Sequence, residues 1–460
     1  MCHRHSCLWF VVALLLATPL AAHVGDVNTF FEGNAGPYPI RVVVRPPGVV
    51  PGRAEITIRT NAPDVTRVTV KPMKWDDVAA PPPDVAEPVR GQRGLYTAQL
   101  WLMSSGSYSI DVNIDGARGS GRAVVPVTNI AVKRLPMPRA LGIVLFLCGL
   151  ILVAGAVSIV GAGVREAIGT NASSQRRARL SMLIAAVLFI VLVARGNAWW
   201  NSVDTAYRQR LFRPFAVKTS VANGVLTLDI TDERWRNQRE VRWSELMPDH
   251  GKLMHLFLIA ENQGALAHLH PVSVSRERFR VNVPQLAPGR YRLFADITHE
   301  SGFTQTLVDT ITIGPQPAMP PTDPDDSSFS PSHPSAATIT FRETPLVAGR
   351  DVDLRFDVRD ANGQPITPEP YMGMAGHAAI AAADFSVFVH VHPNGTISMA
   401  SQQKFLARDG KVDHSAHAMH AQGSEVAFPY AFPKPGQYHI WVQTKVGGEV
   451  ITRKFDVRVS

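Results

Sequence analysis

His255–Pro271 reads HLFLIAENQGALAHLHP, and His377–Pro393 reads HAAIAAADFSVFVHVHP. The stretches align without a gap, so that His255, His268, His270 and Pro271 fall on His377, His390, His392 and Pro393. Further on, PGRYRLFAD from Pro288 and PGQYHIWVQ from Pro435 repeat in the same order. A spacing used twice marks one supersecondary unit used twice. Short apolar runs bounded by turn residues predict strands. In His-x-His on a strand, both imidazoles point to the same face, because successive residues alternate sides. These repeats therefore predict β-sandwich domains carrying histidines at equivalent places.

Neutral imidazoles gathered on one face are ligands for a borderline or soft metal. The expectation is two clusters, His255–His268–His270 in one repeat and His377–His390–His392 in the other. Sulfur nearby turns the choice toward copper. Met372 and Met374 precede His377 in YMGMAGH, Met247, His250 and Met254 adjoin His255, and thioethers favour Cu(I). Zinc is the alternative metal. The tract DHSAHAMH adds His414, His417, Met419 and His420 among small and polar neighbours, a composition that cannot pack a core and that collects metal. The competing reading is structural: His-x-His-Pro ends a strand, and its imidazoles bond the loop backbone. His299 has no counterpart in the second repeat and ranks as an accessory ligand, while His439 reads as an ordinary strand residue.

Composition narrows the classes. At 460 residues the chain is long enough for about three domains. Its net charge of +8 is scattered, with local groups at Lys133–Arg139, Arg176–Arg179 and Arg208–Arg213 that flank apolar segments. That is the signature of membrane topology and not of a phosphate-tracking surface, so nucleic acid is no partner. The three cysteines are Cys2, Cys7 and Cys148, in the leader and in an apolar span. A disulfide framework and thiolate-ligated copper are thereby excluded. No nucleophile elbow, HExxH, phosphate loop or CxxCH motif occurs, and the protein reads as no enzyme.

Residues 1–22 read as a signal peptide, with His3 and Arg4 before the apolar run Leu8–Leu16 and Ala21–Ala22 at the cleavage site. The mature chain would begin at His23, whose amine and imidazole form a two-nitrogen copper chelate. A copper-dependent oxidative site built on it is the enzymatic alternative. Residues 140–164 and 180–200 read as transmembrane helices, since about 20 apolar residues suffice to cross a bilayer. Their arginine-rich connection, 165–179, is expected in the cytoplasm by the positive-inside rule. The β parts then lie outside: 23–135, 215–315 with the first His-x-His-Pro, and 335–460 with the second. Residues 316–334, rich in Pro, Ser and Asp, read as a solvated linker. LYTAQLWLM and GSYSIDVNIDG read as a hairpin-like pair. A tyrosine just after a glycine turn recurs at Tyr108, Tyr291 and Tyr438, a corner found in β-sandwiches. The fold class is thus mainly β: three exported immunoglobulin-like β-sandwich domains plus a two-helix transmembrane hairpin.

AHVGDVNTFFEGNAGPYPIRVVVRPPGVVPG, from Ala22, resembles the opening of exported proteins related to YtkA-like and copper-resistance C-like β-sandwich domains. HLFLIA…HLHP and MGMAGH…FVHVHP, each followed by a PG-x-Y strand, resemble a module of proteins that handle heavy metals, chiefly copper. The resemblance implies metal ligation by His255, His268, His270, His377, His390 and His392, with Met372 and Met374. The chain departs from the pattern in having no second histidine in residues 24–135 to partner His23. Together these readings describe a bacterial inner-membrane protein with periplasmic domains that sequesters or delivers copper. Its expected partners are the lipid bilayer and a copper transporter or cuproprotein. The rival function is an envelope interaction scaffold with structural histidines.

Overall fold

A computed structural model describes residues 28–76, 80–168, 172–236, 246–317, 319–331, 337–408 and 423–460. The chain divides into two compact units, residues 1–129 with 213–460, and residues 130–212.

The larger unit is built from antiparallel sheets, two from each of three sequence blocks. In the first block, strands Thr29–Ala35, Tyr38–Arg45, Gly52–Thr60 and Leu95–Leu102, with Glu87–Pro88, face a sheet of Asp84–Val85, Val65–Lys74, Gly106–Gly116 and Gly119–Asn129. Alternation decides which side is buried. In Gly52–Thr60 the residues Ala54, Ile56 and Ile58 enter the core, while Arg53, Glu55 and Arg59 stay outside. One expectation is corrected here. Leu95–Leu102 and Gly106–Gly116 lie in opposite sheets, because the turn between them carries the chain across the sandwich. The true hairpin partner of Gly106–Gly116 is Gly119–Asn129.

The second and third blocks each repeat one plan. The central sheet of the second holds Gly289–His299, His255–Ala260, Leu266–Leu269 and Ser327–Phe329 in that order. Its counterpart in the third holds Glu449–Val459, Gly436–Val446, His377–Ala382 and Phe388–Val391. The recurrent tyrosine bonds the residue four positions upstream in all three blocks, with the direction reversed in the first. Tyr291 and Tyr438 donate to the carbonyls of Ala287 and Lys434, four residues upstream, and Tyr108 accepts the Ser104 N–H at the same offset.

The linker expected at 316–334 is not a solvated spacer among its described residues. Ser327–Phe329 adds an edge strand beside Leu266–Leu269. The Asp326 carboxylate accepts N–H bonds from Thr322, Asp323 and His270, so its acidic residues are structural anchors and not merely solvated charge.

The central sheets of the second and third blocks pack face to face. Leu256, Leu258 and Ala260 point into their own sandwich, so Phe257 and Ile259 point outward by strand alternation. They meet Ala379, Ala381, Phe388 and Trp441 of the other repeat. Phe294 stacks on Phe388 with ring centroids 4.1 Å apart. The first block closes on the loop beyond His392: Glu32 donates its N–H to the Asn394 carbonyl, and Thr396 donates to that of Phe30. Gly395 lies between them with φ of 109°, and a Cβ there would fall 2.0 Å from the Phe30 carbonyl oxygen. Only glycine allows that approach.

The smaller unit is a helical hairpin, α1 (Arg139–Ile168) and α2 (Ala172–Gln209). The helices run beyond the apolar segments expected at 140–164 and 180–200, and most of the expected loop 165–179 is helical. Arginine and alanine continue a helix readily beyond the apolar residues. Windows in both helices are long and apolar enough to cross a membrane, with mean hydropathy of 2.9 and 2.2. The chain's approach and departure are tied together, as Phe212 donates to the Ala131 carbonyl and Arg134 pairs with Asp204 at 2.6 Å.

Phe388→Ala empties the inter-sheet core and is expected to cost about 3–5 kcal/mol. Because both repeats share that core, denaturant unfolding followed by proteolysis will show 213–317 and 337–460 losing protection together. Loss confined to the second repeat would mean that the two fold independently.

Candidate metal centre

The same outward faces that carry the apolar contact carry the histidines. His255 sits two residues before Phe257, and His268 two after Leu266. His377 and His390 hold the equivalent places beside Ala379 and Phe388. Packing the two sheets therefore turns all four imidazoles into one interface. His270 and His392, at the ends of the His-x-His pairs, close it.

Sequence reasoning expected two clusters, and the structure holds both, with their rings side by side. Each triad exists, its possible ligand atoms lying within 4.8 Å of one another. The two triads abut in a single cage. The His390 ring centroid is 5.3 Å from that of His255 and 5.4 Å from that of His268, and His268 stands 6.1 Å from His377. A seventh imidazole, His250, comes from the turn before His255 and lies 4.7 Å from His392 and 5.6 Å from His377.

Hydrogen bonds place the protons of His255, His268 and His377. A backbone carbonyl only accepts. His255 Nε2 lies 3.2 Å from the Asp249 carbonyl and His377 Nε2 lies 3.0 Å from that of Tyr371, so both Nε2 atoms donate and both Nδ1 atoms hold lone pairs. His268 Nδ1 faces Gln443 Oε1 at 2.9 Å, and His390 Nδ1 faces Asp296 Oδ2 at 3.6 Å. Gln443 Oε1 accepts from His268 Nδ1, so the His268 Nε2 lone pair faces the His255 Nδ1 lone pair across 3.2 Å, and His390 Nε2 stands 3.1 Å from the His377 Nδ1 lone pair. Facing lone pairs repel, and a cation between them removes the conflict. Two nitrogens each about 2.0–2.1 Å from one metal stand about 3.3 Å apart in a tetrahedral set, close to the observed separations.

The remaining groups fit a ligand shell. His270 Nδ1 is 3.1 Å from Asp326 Oδ1, a carboxylate–imidazole pairing of the kind that orients metal-binding histidines. The Nε2 atoms of His250, His270 and His392 are buried without a hydrogen-bond partner. An unsatisfied buried nitrogen costs about 1–3 kcal/mol. Burial holds His255, His268, His377, His390 and His392 well below the ordinary imidazole range, and the neighbouring imidazoles push the same way. Neutral imidazole is the form that binds metal. Burial pushes the Asp296 carboxyl up to about 7; the Thr306 hydroxyl bond opposes this and the Asp249 charge adds to it.

The other expected residues fall in different places. Met374 packs in the core of the first block with Ile397 and Met399, so its thioether serves as apolar filling and not as a ligand. Met254 is likewise core, in the second block. His299 is boxed by Phe215, Trp235 and Phe303 and pairs with Gln305 at 2.8 Å, a structural role instead of the accessory ligation expected. His439 is the strand residue anticipated. His23, His414, His417, Met419 and His420 lie outside the described residues. The sequence reading did not list His250, Asp296, Asp326 and Gln443 among the site residues. The repeat held the signal for two of them: Asp296 and Gln443 occupy equivalent places in PGRYRLFAD and PGQYHIWVQ.

Comparison with known proteins adds little to this geometry. Residues 216–314 and 333–460, just under half of the chain, match the model of a domain of unknown function, DUF8832. Those stretches include both triads. No curated protein matches the chain. Among solved structures, the FN1-FN3 domains of chicken CNTN1 align at 10% identity over 90% of this chain and 97% of that one, with a TM-score of 0.17. The Escherichia coli adhesin FdeC aligns at 11% identity over 97% of this chain and 99% of that one, with a TM-score of 0.14. Scores this low carry no argument about fold or role.

The buried imidazoles set the acid response of the metal-free protein. Folded, they stay neutral; unfolded, they protonate below about 6.5, so the unfolded chain binds more protons there. Stability is intact above that value and falls below it, by up to about 1.4 kcal/mol per pH unit for each such histidine until its folded pKa is reached. Asp296 acts oppositely, its contribution full below 3.8 and lost as pH rises through about 7. Five histidines outweigh one carboxyl. In chelator, the melting temperature is expected to drop from about pH 7.5 to about pH 5, and His268→Gln with His390→Gln to flatten that drop. A wild-type melting temperature that does not change with pH contradicts neutral burial.

Proposed function

We propose that this protein is a membrane-anchored, non-enzymatic copper-handling protein that holds its metal in the histidine cage between the two repeats. The observation that carries the reading is the facing lone pairs of His255 and His268, 3.2 Å apart in a buried site, with His377 and His390 approaching to 3.1 Å at the equivalent place of the other repeat. The donors are nitrogens, with Met372 as a nearby thioether in sequence, and such a set suits copper. Charge favours the monovalent ion. Neither triad contains a carboxylate, only Asp326 and Asp296 stand behind them, and two divalent ions side by side would repel about fourfold more than two monovalent ones. Zinc is the competing metal because imidazole accepts it equally well.

The hydrogen bond between Phe212 and Ala131 supports a hairpin that returns the chain to the side it came from. With a signal peptide at 1–22, that side is the periplasm of a bacterial inner membrane. The His414–His420 tract would collect metal there for the cage. Sequestration or delivery to a copper transporter or cuproprotein follows from that placement.

Full-length protein in detergent, loaded anaerobically with Cu(I), is expected to retain copper through gel filtration and to melt higher than the metal-free form. At a free concentration 100 times Kd the gain is about 2.7 kcal/mol. His268→Ala with His390→Ala removes both effects. If Cu(I) neither binds nor stabilises the wild type, the copper reading is wrong; if only Zn(II) does so, the metal is zinc. A reporter fused within 172–179 is expected to report the cytoplasm, and one fused after Ser460 the periplasm. Any other pair of results overturns the topology.

A further inference from the structure

His250 and Met372 occupy the same place in the repeat, each five residues before the first histidine of its triad. The local backbone is also the same. Asp249 and Lys252 exchange two backbone hydrogen bonds, as do Tyr371 and Met374. Between them His250 and Gly251 have φ of 50° and 80°, and Met372 and Gly373 have φ of 48° and 77°. The left-handed region disfavours most residues with a Cβ, and methionine would not be chosen there for the turn itself. Each turn spends its carbonyl on its own triad, Asp249 on His255 and Tyr371 on His377.

The next side chain goes the other way. The His250 ring lies 6.2 Å from His255 of its own repeat but 4.7 Å from His392 and 5.6 Å from His377. Its side chain is 6% exposed, and its Nε2 has no hydrogen-bond partner, the nearest carboxylate oxygen being Asp249 Oδ1 at 4.0 Å. His392 presents an unpartnered Nε2 as well. A buried imidazole with a free nitrogen beside three others is in position to be a fourth ligand. The pairing of the repeats is reciprocal elsewhere: Gln443 of the third block meets His268 of the second, and Asp296 of the second meets His390 of the third. The same reciprocity assigns Met372 to the triad of the second block.

Resting on the reading of the cage as a copper site, we propose that it is a pair of unlike sites with exchanged fourth ligands. His377, His390 and His392 are completed by His250, and His255, His268 and His270 by Met372. One site is all nitrogen; the other carries a thioether and is the softer, better matched to Cu(I). Neither is complete without the opposite repeat, so metal binding requires the two repeats to be docked. The duplicated sequence, which looks like two copies of one site, would hold two grades of affinity.

The test uses the full chain in detergent, in a background of His414→Ala, His417→Ala, Met419→Leu and His420→Ala, so that the tract supplies no ligands. Cu(I) is titrated against a chromophoric chelator, and the sulfur shell is read by X-ray absorption. Two coppers per chain are expected, with one sulfur neighbour shared over the two. Asparagine tolerates the left-handed turn. Met372→Asn should abolish the sulfur shell and weaken one copper at least tenfold, leaving the other unchanged. His250→Asn should weaken the other copper and keep the sulfur. Met372→His should lose the sulfur while retaining two tight coppers, which separates ligation from folding. Two tight coppers without sulfur in the parent, or a sulfur shell that survives Met372→Asn, overturns the exchanged-ligand pair while leaving the copper cage standing. No bound copper in the parent defeats the cage reading itself.

Discussion

The contact on which the site depends is apolar. Phe257, Ile259, Phe294, Phe388 and Trp441 close two β-sheets on each other, and that closure takes water away from the histidines alongside. Each large aromatic side chain so buried contributes on the order of 2 kcal/mol of hydrophobic stabilisation. Without it, the imidazoles would be solvated, protonated in acid, and free to hydrogen-bond water. With it, they are neutral, oriented by carbonyls and amides, and short of partners. Desolvation here shapes the imidazole cage as much as it stabilises the fold.

The cage is nearly two-fold in plan and unequal in chemistry. Equivalent positions of the two copies differ: Asp296 against Gln443, and His250 against Met372. The six histidines themselves do not differ. The Asp296 carboxyl stands 3.6 Å from His390 Nδ1, whereas the Gln443 amide oxygen bonds His268 Nδ1 at 2.9 Å and orients it. Asp326 adds a carboxylate behind His270, on a segment that has no aligned counterpart between the repeats. The duplicated frame keeps the ligands in register, and the residues behind them set their strength.

The first block acts on the site from outside it. By pairing with residues 394–396 it fixes the backbone immediately after His392, and the close approach at Gly395 leaves that loop little freedom. The helix Met399–Arg408 extends the same clamp, with Gln402 donating to the Val124 carbonyl and Ser401 to that of Gly302. A ligand on a loop is held as firmly as one on a strand when another domain grips the loop.

Much was legible in the sequence because its signals are local. Alternation placed the strands of His255–Ala260 and His377–Ala382, the gapless repeat named the six histidines, and apolar length marked the two helices. The tyrosine after each glycine turn was readable because its bond spans only four residues. What only the tertiary structure decided were contacts between residues far apart in sequence. Nothing in His255–His270 or His377–His392 says that their outward faces meet, so the sequence named the two clusters without showing that they adjoin. Asp326 looked like linker because its partner, His270, is more than fifty residues away, and Met374 looked like a ligand although it packs into the first block. Residue pattern fixes which side of a strand a group occupies; which surface that side faces is settled only when separate sheets bury their apolar faces together.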